Sequence, residues 1–211
     1  MRRGRLAHRL AGAVHGLIVG IILLFLVAPA LVVIPMSFLG ESMKRLNEAE
    51  LSLDAYRRFV TQPEWIPATV FSLEMSVLVM LISLVVGTLT AYGLVATKGG
   101  MSRLLSVLVV LPALAPTIVF AIAIYWLLIR LDLLGTMAGF VLANVVLALP
   151  YSVVTIRGAL EGFDASLLKA ASVLGAKPPR IILRVVIPLL APALAAAALF
   201  SFLIAFDEVV V

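Results

Sequence analysis

Cysteine is absent from the 211-residue chain, which removes disulfides, thiolate nucleophiles and cysteine-held metals together. Histidine is scarce: His8 and His15 stand seven residues apart and make no metal cluster. Charged residues are only 13% of the chain, against roughly 25% in soluble domains. With 64% hydrophobic residues and a mean hydropathy of +1.21, a soluble fold would have too little polar surface to wet. Three motifs are also missing: the G-x-x-x-x-G-K-[ST] phosphate loop, H-E-x-x-H and G-x-S-x-G. No enzyme constellation is present, no metal site is expected, and ATP has no loop of the usual kind to bind. A net charge of +5 and a pI near 10.0 raise nucleic acid as a partner. The cations sit between long apolar runs, so their placement argues for membrane orientation and against nucleic acid.

What the chain has is apolar length. Five uncharged runs, Leu10–Gly40, Met75–Thr97, Leu104–Ile129, Leu133–Ile156 and Val185–Phe206, exceed the need of a bilayer crossing, which is about 20 residues. Each is expected to be helical, because lipid offers the backbone no partners. The expected spans are about 12–38, 68–96, 104–129, 133–156 and 186–208. Arg2, Arg3 and Arg5 before the first run give it the look of a signal peptide, but it is too long and is expected to be retained. With the N-terminus inside, eleven Lys and Arg are cytoplasmic and five (Lys44, Arg45, Arg57, Arg58 and Arg130) are external; the opposite orientation inverts that ratio.

Between the first two runs, the segment from Glu41 to Pro67 is too polar to span. Ser52 is a helix-start signal there, and a short interfacial helix is expected. Gly87, Thr88, Ala91 and Gly93 in the second run have the small-residue spacing that lets helices approach closely. Pro112, Pro116 and Pro150 are expected to bend their helices. Asn144 reads as an interhelical hydrogen-bond donor, and His15 as a boundary residue.

Charge in the second half collects in one stretch, Asp164 to Pro188. Asp164 can cap a short helix, with Leu167, Leu168, Ala171 and Leu174 on one face. Gly175 can end that helix in the left-handed conformation. Pro178 and Pro179 suit the first turn of a second helix carrying Arg180 and Arg184. The stretch reads as a helix, a sharp turn and a helix, or alternatively as an ordinary basic loop between spans.

Lys169-Ala170-Ala171, three residues, Gly175, nine residues and Val185-x-Ile187-Pro188 reproduce a spacing found elsewhere. The stretch resembles the EAA loop of binding-protein-dependent ABC transporter permeases, with Lys169 where that family has glutamate. Pro35-Met36-Ser37-Phe38, the Ser52-Leu53-x-x-Tyr56 segment, Trp65 and Leu149-Pro150-Tyr151 are similar to the polyamine branch, closest to the C-type subunit of spermidine/putrescine permeases. The resemblance implies an all-α polytopic bundle of the type I (MetI-like) permease fold, forming one transmembrane domain over 1–211. Five spans are seen, and a sixth is expected beyond Val211; a fragment or a truncated frame would explain the ending.

The same resemblance implies a multi-pass bacterial inner-membrane protein with a cytoplasmic N-terminus. Its partners would be cytoplasmic ATP-binding subunits carrying ATP and magnesium, a second and non-identical permease subunit, an extracytoplasmic substrate-binding protein and membrane lipid. Lys169, Ala170, Ala171, Gly175, Arg180 and Pro188 would form the ATPase-coupling loop. Asp207 and Glu208, with Glu74, Tyr125 and Trp126, would line a path for a cationic substrate such as a polyamine. Glu74 also reads as an interfacial acid, and Tyr125 and Trp126 as belt aromatics. Iron, thiamine or an opine are alternative cargoes on the same scaffold, and a non-transporting assembly protein is the alternative of another class.

Overall fold

A chain crossing hydrocarbon must satisfy its own backbone, and helices do so within each segment. In a computed structural model of the protein, residues 2–38, 51–97, 99–164 and 166–208 are described, and among them every regular element is helical. Lys44, Arg45 and Lys98, which the charge count involves, lie outside the described residues, as do Val209–Val211 and the start of the polar segment after Gly40.

The chain divides into two units, residues 1–68 and 69–211. The first holds α1 (Arg2–Met36) and α2 (Asp54–Thr61). From Val14 to Met36, α1 is long and apolar enough to cross a membrane, and its side chains are almost all exposed. The end of α1 is tied to α2. The Ser37 and Tyr56 hydroxyls lie 2.6 Å apart, the Phe38 and Tyr56 rings 5.4 Å apart, and the Ser52 amide donates to the Phe38 carbonyl at 2.7 Å. Ser52 Oγ accepts from the Asp54 amide at 3.0 Å, so the helix-start signal works one residue before the cap position. Trp65 packs on Phe59 and donates Nε1–H to Gln62 at 2.7 Å.

The second unit is built around α6 (Met137–Glu161), which packs against α9 (Ile187–Asp207) and α4 (Gly100–Leu114). Most of the α6 span is buried, 61% against 28% for that of α3 (Trp65–Ala96), so α6 is the axis of the bundle. Thr136 starts it by accepting from the Gly139 amide at 3.1 Å. Two apolar layers flank a polar waist. Met75, Val79, Val141, Ala148 and Ala205 form one layer, and Ala91, Leu94, Val153, Ile156 and Ala197 the other. Between them lie buried Ser83, Gly87, Ser152 and Ser201. The Ser152 and Ser201 hydroxyls meet at 2.6 Å and tie α6 to α9.

The apolar run expected to span at 104–129 falls on two helices. α4 stops at Leu114, and α5 (Thr117–Arg130) leaves at 105° to it. Pro116 has no N–H to continue the ladder, and a residue before proline is driven out of the helical region; Ala115 is extended, with ψ 141°. Pro150 stays inside α6, which continues through it.

Of the four small residues in the second run, Gly87 and Ala91 face the core, Thr88 is half-buried and bonds back to Leu84, and Gly93 is exposed. A Cβ on Gly87 would lie 2.7 Å from that of Ser152. Gly87→Val should therefore lower the thermal unfolding midpoint of the detergent-solubilised protein, through overpacking of about 1–3 kcal/mol. Gly93→Ala, with open space around it, should leave that midpoint unchanged.

Candidate functional site

The loop from Asp164 to Pro188 is built by local chemistry. Asp164 Oδ1 accepts from the Ser166 amide at 2.8 Å, opening α7 (Ser166–Val173). Hydrogen bonds from the Ser166 side chain and amide hold the exposed Asp164 carboxyl below the usual carboxylate range. The far end of α7 closes in a Schellman motif. Gly175 has φ +79°, its amide donates to the Ser172 carbonyl at 3.0 Å, and the Ala176 amide donates to Ala171 at 3.1 Å. The Lys177 carbonyl then accepts from the Arg180 and Ile181 amides, starting α8 (Pro178–Ile181) with both prolines in its first turn.

The second helix does not stop at Pro188. A π-helical turn, Ile182–Val186, joins α8 to α9, and the Ile187 amide reaches back five residues to the Ile182 carbonyl. Pro188 explains the widening: it has no N–H for the Arg184 carbonyl, and its ring would collide with that carbonyl in a regular α-turn. The loop is thus a short capped helix, a tight turn and one shaft running from Pro178 into the span.

Of the face expected on α7, Leu168 and Ala171 are half-buried, whereas Leu167 and Leu174 are exposed. Leu174 leaves the helical face because the Schellman turn begins there. With Val173 it forms an apolar tip, 88% and 87% exposed for Val173 and Leu174. Lys177 after the turn and Arg180 and Arg184 on the shaft are exposed. Lys169 and Ala170 belong to α7, and their side chains lie outside the described set.

The residues expected on a cation path gather at the opposite end of the bundle without converging. Glu74 is exposed beside buried Met75, and Met75 shares a layer with Ala205, two residues before Asp207. Asp207 ends α9 exposed, and Glu208 is half-buried. Tyr125 and Trp126 are exposed on α5, where the Arg130 guanidinium lies 4.6 Å from the Trp126 ring centre. That ring is engaged by a cation of the chain itself. A cavity lined by Phe71, Leu128, Met137 and Phe140 joins α3, α5 and α6 at this end. Among the described residues no group of three His, Asp or Glu comes together as a metal site.

Asn144 is fully buried, but its Nδ2 donates to the Phe140 carbonyl of its own helix at 3.0 Å, so it is not the interhelical donor expected. Its Oδ1 and the Ser83 hydroxyl have no hydrogen-bond partner among the described residues. Ser152 and Ser201 make an interhelical bond instead, which sequence reading missed. Its signal was the four-residue spacing of Ala148 and Ser152, matched by Ala197, Ser201 and Ala205.

At the loop end lies a second polar cluster that sequence reading passed over. Arg157 Nε donates to Glu161 Oε1 at 2.7 Å, and its guanidinium also donates to Ser106 of α4. Ser102, next on α4, donates to the Leu94 carbonyl of α3 at 2.8 Å. The i,i+4 pair of Arg157 and Glu161 was the available signal.

Residues 83–211 match the family of binding-protein-dependent transport system inner membrane components. The chain is 31% identical over 190 residues to the spermidine/putrescine transport system permease protein PotC of Haemophilus influenzae, covering 89% of this chain and 72% of that protein. Its likeness to PotC of Escherichia coli K12 is also 31%, over 89% of this chain and 70% of the relative. The molybdenum transport system permease protein ModB of Mycobacterium tuberculosis is 28% identical over 155 residues, 68% of this chain and 59% of that protein.

The Asp164 cap has a pH signature. Its carboxyl is lowered in the folded chain, so its contribution is present above the unfolded value and is lost as pH falls through the folded one. The Ser166 amide should stay protected from hydrogen exchange through the ordinary carboxylate range and lose protection only below it. Asp164→Asn should make that protection independent of pH.

Proposed function

The chain belongs to the family of binding-protein-dependent transport system inner membrane components, and from that premise we propose that this ABC permease subunit imports a polyamine, driven by ATP hydrolysed on separate cytoplasmic subunits. The observation that carries the coupling is the loop of residues 164–188. A protrusion with an apolar tip at Val173 and Leu174, held by a Schellman turn and continuous with α9, is suited to seat in a groove on a partner and transmit its motion.

In this reading the N-terminus and the loop are cytoplasmic, on the side where positive charge collects. ATP and magnesium are bound by the ATPase subunits, a second permease subunit completes the pathway, and an extracytoplasmic binding protein delivers cargo. Closure of the ATPases pushes on α7, the shaft from Pro178 carries the displacement into α9, and the Ser152–Ser201 contact passes it to α6. Lys169, Ala170, Ala171 and Gly175 form the docking helix and its turn, with Arg180 and Pro188 at the base of the shaft. Lys169, standing where the family has an acid, calls for an acid on the partner.

The names of the PotC relatives support a polyamine. Glu74, Asp207 and Glu208, at the end away from the loop, supply the carboxylates that a polycation would meet on entry, and Tyr125 supplies an open aromatic face. The ModB likeness favours a second reading, import of an oxyanion on the same scaffold.

Gly175→Val should abolish uptake and capture of the ATPase by the tagged permease while leaving membrane insertion intact, because a left-handed turn costs an L-residue about 1–2 kcal/mol. Normal uptake by that variant would remove the coupling assignment. Asp207→Asn should reduce putrescine uptake more than ATPase activity; equal losses, or uptake of molybdate in place of putrescine, would overturn the polyamine path.

A further inference from the structure

We propose that the groove along α4 at the loop end is a binding site for one anionic phospholipid. The groove has a volume of about 570 Å³ and carries polar groups at one end only. Thr97, Ser106, Arg103 and Arg157 form that end. Arg157 shares its charge with Glu161, whereas Arg103 is exposed and makes no ion pair among the described residues. The first-turn amides of α4 have no side-chain cap, since its cap residue is Gly99. Two guanidinium groups and the Thr97 hydroxyl, beside an uncapped helix N-terminus, form a cradle for a phosphate.

The other end of the groove selects the source of that phosphate. Val107, Val110 and Leu114 continue the line of Arg103 along one face of α4. Val107 is 54% and Leu114 73% exposed, so this strip is open to an acyl chain. From Arg103 to Leu114 the helix rises roughly 16 Å, close to one leaflet of a hydrocarbon core about 30 Å thick. At Leu114 the helix ends and the chain turns by 105°. A free phosphate would use the cradle and leave the apolar strip bare; a phospholipid uses both. Basic pockets between transmembrane helices are suited to such headgroups.

The test uses the full chain in nonionic detergent, with lipid retention followed by native mass spectrometry. One dioleoyl phosphatidylglycerol should be retained in preference to dioleoyl phosphatidylcholine. Arg103→Gln should weaken retention about fivefold, both for this lipid and for dihexanoyl phosphatidylglycerol. Leu114→Asn should weaken the long-chain lipid alone. Equal retention of phosphatidylcholine, indifference to Arg103→Gln, or displacement of the lipid by millimolar inorganic phosphate would each overturn the proposal. The readout needs neither ATPase nor cargo, so its failure is separate from any failure of the transporter reading.

Discussion

In lipid, water no longer drives helices together, so the second unit depends on how closely its helices can approach. The waist at Gly87, Ser152 and Ser201 is where that approach is closest. Gly87 brings α3 onto the backbone of α6, and the hydroxyl pair joins α6 to α9 without a bulky side chain between them. Close backbone contact of this kind, with a modest hydrogen bond added, is what holds helices together when both the inside and the outside are apolar. The apolar layers above and below follow from it, because Val79, Ala148, Ala91 and Ala197 can be fully buried only if the waist is tight.

The same constraint makes the charged end of the bundle more than a membrane-orientation signal. Arg157 lies at the edge of the apolar layer that contains Ile156, where an unpaired charge is costly. It is held by Glu161 on its own helix and by Ser106 on α4, so one cation both satisfies itself and ties two helices. Ser102 repeats the arrangement between α4 and α3 with a neutral hydroxyl. The helices at this end are therefore fastened by directional bonds, whereas the opposite end is fastened by aromatic and aliphatic contact, such as that of Phe71 with Phe140.

How much of this was legible follows from what each feature depends on. Helical class and the apolar runs depend on composition and length alone, and they could be read directly. The caps of the loop depend on residues within five positions of each other, so Asp164, Gly175 and Pro178 also announced themselves. The break between α4 and α5 was half-visible: Pro112 and Pro116 mark a bend, but its 105° angle is not encoded by a proline alone. The Ser152–Ser201 pair was not visible as a pair, since the two are 49 residues apart and either serine could have bonded back to its own helix. Asn144 shows the opposite outcome: it was expected to cross between helices and bonds within its own. For hydroxyl and amide side chains in an apolar run, the choice between own carbonyl and neighbour is decided by interhelical distance, which no local pattern encodes.

Two prolines at the loop base then separate where the chain can yield from where it cannot. Pro178 begins a helix and stiffens it; Pro188 interrupts the ladder ten residues on, and the chain answers with a wider turn instead of a kink. A break at Pro188 would have isolated the loop from the span. The π-turn keeps the backbone hydrogen-bonded from α8 into α9 and leaves only the looser geometry of residues 182–186 to absorb a displacement. α9 is in turn fastened to α6 at Ser201, so one hydrogen-bonded backbone leads from the loop to a helix tied to the axis of the bundle. The continuity of loop and bundle is thus a consequence of where the second proline stands and of the hydroxyl pair above it.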